Sequence, residues 1–258
     1  ALPIFERVLA GQHVALLMAN YPEFVPVKFA IARAGAIAVP FNYLYRTAEL
    51  GFVLADSGCR VLITMSGFSA LDYQGMLDEI VPQWDSADFS LRAPDHLPDL
   101  RHVVVLDTDG RARQGVLTVG DLLGSDEAAP QVAVAPDAPG DMLYTSGTTG
   151  SPKGVLVTHD AVLRTGYASA LTRGYQDGRR ILFSLPCYHM FGYVEGVRPG
   201  TDAASLGGLR PVFVASWLDG SLDASTKVTY SINRKNSATD YQSGQYLHAD
   251  YNLGLRVA

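Results

Sequence analysis

Tyr144-Thr145-Ser146-Gly147-Thr148-Thr149-Gly150-Ser151-Pro152-Lys153-Gly154-Val155 sets three glycines, a run of serine and threonine hydroxyls and one lysine between two apolar runs. Glycines let the backbone turn tightly and bring its N–H groups close to a ligand. A concave row of such N–H groups is an anion site, and hydroxyls plus a lysine extend it toward phosphate oxygens or a bound metal. The pattern is not Walker A, because Ser151 and Pro152 separate Gly150 from Lys153. A Ser/Thr/Gly-rich surface loop shares this composition. The density of the run, its Pro-Lys-Gly ending and the apolar strand directly after it argue instead for a phosphate site.

Upstream, short apolar runs alternate with helical patterns. Val14 to Met18 reads as a buried strand, and Asn20-Tyr21-Pro22 opens a helix to about Arg33, ended by Gly35. Pro26 falls inside that helix, so the helix either begins there or is kinked there. Ala36 to Pro40 is the next strand, Thr47 caps a helix through Ala55, and Val61 to Thr64 is a third strand. Strand and helix in alternation predict an α/β fold, mostly parallel sheet flanked by helices. Further on, Leu71 to Val81 predicts a helix, Ala93 to Asp99 a loop, His102 to Leu106 a strand and Gly115 to Leu123 a short helix. His96 and His102 read as ordinary loop or strand-edge residues. Ala128 to Gly140 is a connector, and Asp141 to Tyr144 leads into the glycine-rich stretch. Val155 to Val157 leads out of it as a strand. Thr158 caps a helix in which Ala161, Val162, Tyr167, Ala168 and Leu171 recur at helical spacing. Ile181 to Leu185 is a further strand, followed by Pro186-Cys187-Tyr188-His189-Met190-Phe191-Gly192.

Composition narrows the function classes. The chain has 258 residues, 48% hydrophobic and 18% charged, which suits a folded protein with a proper core. A net charge of -6 and the lack of a basic tract argue against nucleic acid. Two cysteines, Cys59 and Cys187, make neither a disulfide framework nor a metal site and predict reduced thiols in a cytoplasmic protein. No secretion-signal pattern is visible at Ala1 to Arg7, and the run at Val14 to Ala19 is too short to span a membrane.

The stretch Tyr144 to Val155 closely resembles the signature phosphate loop of the adenylate-forming, or AMP-binding, superfamily of acyl-CoA synthetases. The segment from Gly11 through Gly35-Ala36 to Gly58 resembles the opening half of the same enzymes, and Pro186 to Gly192 resembles a second signature. This resemblance implies the partial N-terminal domain of an acyl-CoA synthetase or fatty-acid–CoA ligase over residues 1–198. It implies ATP, Mg²⁺ and coenzyme A, with a small carboxylic acid, aliphatic or aromatic, as substrate. By the same resemblance Ser146, Gly147, Thr148, Thr149 and Gly150 cradle the β- and γ-phosphates. Thr145 helps to hold Mg²⁺, Lys153 neutralises the departing pyrophosphate, and His189 stands beside the acyl pocket as a catalytic residue. Arg173, Arg179 and Arg180 are read as a solvated helix end and loop. The family's adenine-binding stretch, acidic metal ligand, ribose aspartate, hinge and C-terminal lysine have no counterpart after Gly196, so the implied ligase is incomplete here. The alternative is an inactive nucleotide- or phosphate-binding fragment, or a fusion product.

Residues 199–258 change character. Leu222, Ala224, Thr226, Val228, Tyr230 and Ile232 alternate with polar residues, and alternation resumes at Leu247, Ala249, Tyr251, Leu253, Leu255 and Val257. Period two predicts an antiparallel β-ribbon with one apolar face. Lys235 to Gln245 resembles an outer-membrane β-barrel family linked to aromatic degradation; a soluble hairpin fits the pattern as well. Two strands cannot close a barrel, so no stable membrane insertion is expected. The halves imply a junction between Gly196 and Leu209.

Overall fold

The apolar runs of the first half form strands of one sheet. They are β1 (His13–Leu17), β2 (Ile37–Pro40), β3 (Cys59–Met65) and β6 (His102–Leu106), with the two-residue hairpin β4 (Gly67–Phe68) and β5 (Leu71–Asp72) between the last two. β7 (Leu117–Thr118), β8 (Pro139–Thr145) and β9 (Lys153–Thr158) complete the sheet in the order β7-β6-β3-β1-β2-β8-β9. Every pairing in it is parallel except β8 with β9. This computed structural model describes residues 10–86, 89, 94–123, 132–145, 152–174, 184–197, 208–209, 212–219, 222–233 and 246–255, and from residue 195 the backbone alone. The chain divides into two compact units, Ala1–Ala19 with Pro26–Asp160, and Asn20–Val25 with Ala161–Ala258.

Helices α1 (Phe24–Arg33), which from Pro26 on belongs to the first unit, and α2 (Thr47–Ser57) join β1 to β2 and β2 to β3. β2 and β3 lie on opposite sides of β1, so right-handed crossovers put α1 and α2 on opposite faces of the sheet. Cover on both faces explains the unbroken apolar strands: Val14, Ala15, Leu16 and Leu17 are all buried, as are Val61, Leu62 and Ile63. α1 begins at Phe24, before Pro26, so the proline occupies the first turn, where no intrahelical N–H bond is lost. Thr47 is the first residue of α2 rather than its cap. The cap is Arg46, whose backbone N–H donates to the Glu49 carboxylate at 2.8 Å. α3 (Tyr73–Ile80) starts later than its apolar pattern suggests, because Asp72 caps it by accepting from the Gly75 N–H. α4 spans Val119–Leu123. His96 donates through Nε2 to the Ile80 carbonyl at 2.9 Å, an ordinary structural contact.

In the second unit, α5 (His159–Thr172) begins at its boundary with the first. It is the helix expected after Thr158, and of Ala161, Val162, Tyr167, Ala168 and Leu171 only Val162 is buried, while Tyr167 and Leu171 are exposed. The strand expected at Ile181 to Leu185 lies mostly outside the described residues, and Ser184 and Leu185 are not strand. A π-helix spans Phe191–Val197. β10 (Gly208–Leu209), β11 (Val212–Asp219), β12 (Leu222–Asn233) and β13 (Tyr246–Leu255) make an antiparallel sheet around β12. Its register sets Ala224 opposite Leu253, Val228 opposite Ala249 and Tyr230 opposite Leu247, so the alternating apolar positions share one face. β11 is a third long strand beyond the expected pair, with Phe213 opposite Val228 and Trp217 opposite Ala224. Among the described residues no helix is long and apolar enough to cross a membrane.

Both cysteines are buried and free. Cys59 lies in β3, where the Ser57 hydroxyl donates to its Sγ at 3.0 Å. Burial pushes the thiols of Cys59 and Cys187 from their ordinary 9.0 up to about 12. Both are therefore neutral near pH 8 and are expected to resist a thiol reagent until the chain unfolds, when both react. The folded state holds protons that the unfolded chain releases above pH 9, so this contribution is present below pH 9 and lost as pH rises toward 12. Rapid modification of either cysteine in the native protein would contradict this.

Candidate functional site

β8 and β9 form an antiparallel hairpin whose last register pair is Thr145 with Lys153. The glycine-rich stretch is the connection across that pair, and Ser146, Gly147, Thr148, Thr149 and Gly150 lie outside the described residues. Directly opposed residues share a face. The Thr145 hydroxyl and the Lys153 ammonium therefore stand side by side at the root of the loop, both exposed. β8 is parallel to β2, so the loop leaves the carboxyl end of the parallel strands, where open α/β sheets bind their ligands. Gly154 lies opposite Tyr144, and a Cβ there would come within 2.8 Å of Met142 Sδ. A larger residue there would require the Met142 side chain to shift.

Two long-range polar contacts fix β8. The buried Lys28 ammonium of α1 donates to the Asp141 carboxylate, and their side chains are 2% and 4% exposed. Three residues on, the Tyr144 hydroxyl donates to Asp56 Oδ2 of α2 at 2.7 Å, and the Tyr144 ring meets Phe41 edge-on with centroids 5.9 Å apart. Burial first, and the hydrogen bond to Asp56 second, push the Tyr144 phenol well above its ordinary value, so it stays a donor. Lys28 announces itself faintly in the sequence as a lysine on the apolar stripe of Phe24, Val27 and Ile31. Nothing local marks Asp56.

The second unit holds His189 in a turn before the π-helix. Its N–H donates to the Pro186 carbonyl at 3.1 Å, and its carbonyl accepts from Tyr193 at 3.0 Å. The exposed imidazole accepts the Phe191 N–H at Nδ1, at 3.2 Å, which leaves the proton of the neutral ring on Nε2. Asn20 ties this turn down from both sides. Its Nδ2 donates to the Leu185 carbonyl at 2.9 Å and its Oδ1 accepts the Cys187 N–H at 2.8 Å. Gly192 is needed here, since a Cβ would lie 2.2 Å from the Pro186 carbonyl oxygen. Asn20 reads in the sequence only as part of a helix start. Arg173, exposed, donates to Ser169 Oγ at 3.3 Å, as a solvated helix end does; Arg179 and Arg180 lie outside the described residues.

Thr145 and Lys153 are thus brought together, and His189 is set in the other unit. Among the described residues no cluster of three or more His, Cys, Asp or Glu residues could hold a metal. The Thr145 hydroxyl is an exposed oxygen at the root of the loop, and oxygen is the donor type that a hard cation takes.

Residues 7–213 match the family model described as "AMP-binding enzyme". Residues 189–258 match the model described as "Putative MetA-pathway of phenol degradation", so the two matches overlap at 189–213. The chain is 31% identical over 195 residues to the mitochondrial medium-chain acyl-CoA ligase ACSF2 of Danio rerio, covering 72% of this chain and 32% of that protein. It is 32% identical over 195 residues to the long-chain-fatty-acid–CoA ligase FadD13 of Mycobacterium tuberculosis, covering 71% and 32%. Among solved structures it resembles the anthranilate CoA ligase AuaEII in complex with anthranoyl-AMP, at 25% identity and a TM-score of 0.57, covering 74% of this chain and 34% of that one. The chain spans about a third of the length of the curated relatives it matches.

Proposed function

The chain belongs to the AMP-binding enzyme family, and on that premise we propose that it carries the phosphate-binding half of an ATP-dependent acid–CoA ligase. The observation that carries this reading is the pairing of Thr145 with Lys153 across the root of the glycine-rich turn. The substrate carboxylate attacks the α-phosphorus of ATP, the bond to the bridging oxygen of the β-phosphate breaks, and acyl-AMP and pyrophosphate result. The acyl group then passes to the thiol of coenzyme A. Adenylation of this kind depends mostly on positioning and charge stabilisation. Residues 146–150 hold the β- and γ-phosphates, and Lys153 opposes the charge that grows on the pyrophosphate. Thr145 is the protein oxygen for Mg²⁺, which supplies further charge neutralisation. His189, fixed in its tautomer by Phe191, orients the carboxylate. The acid is a fatty or aromatic one, and the reaction is cytoplasmic.

Carboxylate-dependent exchange of label between pyrophosphate and ATP tests the reading. A panel of medium-chain, long-chain and aromatic acids then identifies the substrate. A second reading is binding of ATP without turnover by these 258 residues, which span about a third of the length of the curated relatives. Folded protein that binds ATP but gives no exchange with any acid would establish it.

Residues 199–258 have a separate origin from 1–198 on this reading, joined between Gly196 and Leu209. The overlap of the two family matches at 189–213 supports the junction. Limited proteolysis is expected to cut first in that window; uniform resistance argues for one integrated domain.

A further inference from the structure

The geometry points to a clamp on the strand that feeds the phosphate turn: Lys28 and Asp56 act as positioning residues, holding β8 from the two faces of the sheet through Asp141 and Tyr144. The inference rests on the reading of residues 146–150 as the phosphate-binding turn. Asp141 and Tyr144 are three positions apart in a regular strand, so their side chains leave opposite faces. Their partners sit on α1 and α2, which the right-handed crossovers place on those same two faces. One contact is a buried ion pair and the other a hydrogen bond at 2.7 Å.

The site needs such a clamp because of where β8 and β9 lie. β9 closes the strand order and pairs only with β8 among the described strands, and Val155 and Leu156 are exposed. β8 in turn has only the Ala38–Asp141 register pair with β2. The hairpin that carries Thr145 and Lys153 is therefore weakly stitched to the sheet through its backbone. A loop that must present several N–H groups to one polyphosphate cannot fray at its root without losing that alignment. Side-chain contacts at Asp141 and Tyr144 supply the anchorage that the ladder lacks. Tyr144 is next to Thr145, and its ring lies beside Gly154, next to Lys153, so both root residues of the turn inherit its position.

Amide hydrogen exchange on the full chain tests the clamp. Tyr144→Phe, which removes only the hydroxyl, is expected to speed exchange in residues 142–145 and 152–157 roughly two- to tenfold while β1 to β3 stay protected. Asp56→Ala should do the same, and Asp56→Asn, which keeps an acceptor oxygen, should restore protection. Combining Tyr144→Phe with Asp56→Ala should add nothing to either alone. For the other face, Lys28→Met with Asp141→Leu removes both charges together and should loosen 142–145 and 152–157 selectively, but less than Tyr144→Phe does, because apolar contact replaces part of the lost anchorage. Unchanged exchange in those segments, or faster exchange spread evenly over the sheet, overturns the clamp. ATP with magnesium, added to the wild type, tests the phosphate reading separately. If it protects nothing, that reading fails, while the exchange rates of the variants still decide the clamp.

Discussion

Lys28→Met alone is expected to destabilise the first unit by about 3–5 kcal/mol, because it leaves the Asp141 carboxylate buried without its cation. Single domains are stable by only about 5–15 kcal/mol, so this variant should stand near the edge of folding. The pair itself is a weaker stabiliser than this loss suggests. Taking two charges out of water offsets much of their attraction, and what the single variant reads is the cost of an orphaned charge. The double variant Lys28→Met, Asp141→Leu separates the two effects. With both charges gone, most of the lost stability should return, less what the larger Leu costs in packing. Urea unfolding followed by far-ultraviolet circular dichroism measures all three proteins on one scale. A loss below about 1 kcal/mol in the single variant would mean that water reaches Asp141 and that the pair behaves as a surface one.

How much of this was legible in the sequence follows from the range of each interaction. The α/β alternation could be read because burial on both faces writes itself locally, as in Val14 to Leu17 and Val61 to Ile63. The glycine-rich stretch stands out because its whole pattern lies in adjacent residues, Thr145 to Gly154. The contacts that hold its root do not: Lys28 and Asp141 are 113 positions apart, and Asp56 and Tyr144 are 88 apart. Only the strand order brings them together. β11 escaped because Val212-Phe213-Val214-Ala215 does not alternate, whereas β12 and β13 do. α5 was legible as a helix but not in its burial. Its spacing is that of a buried helix, but Leu163, Tyr167 and Leu171 are exposed, so periodicity states which face is apolar and not whether anything covers it.

Lys153→Ala is expected to lower pyrophosphate exchange by a factor of about 10²–10³, the usual cost of removing one preorganised stabilising group from a transition state. The magnitude follows from where charge moves. As the α-phosphorus is attacked, negative charge shifts onto the departing pyrophosphate, and Lys153 is the cation paired with Thr145 at the root of the turn. Its side chain is exposed, on a strand at the end of the sheet, so truncation should alter stability by no more than about 0.5 kcal/mol. Loss of exchange with an unchanged unfolding curve therefore reports chemistry and not folding. Lys153→Arg keeps the charge but replaces a compact ammonium with a planar fork, and partial recovery is expected. Thr145→Ala should weaken the magnesium dependence of exchange while leaving Lys153 in place. If wild type and Lys153→Ala exchange equally, the turn is not the pyrophosphate site, and the function proposed from it falls. If the folded wild type binds ATP without exchange, the same lysine should govern affinity instead. Lys153→Ala would then raise the dissociation constant for ATP, and added salt would narrow the difference, as screening of a solvent-exposed charge requires.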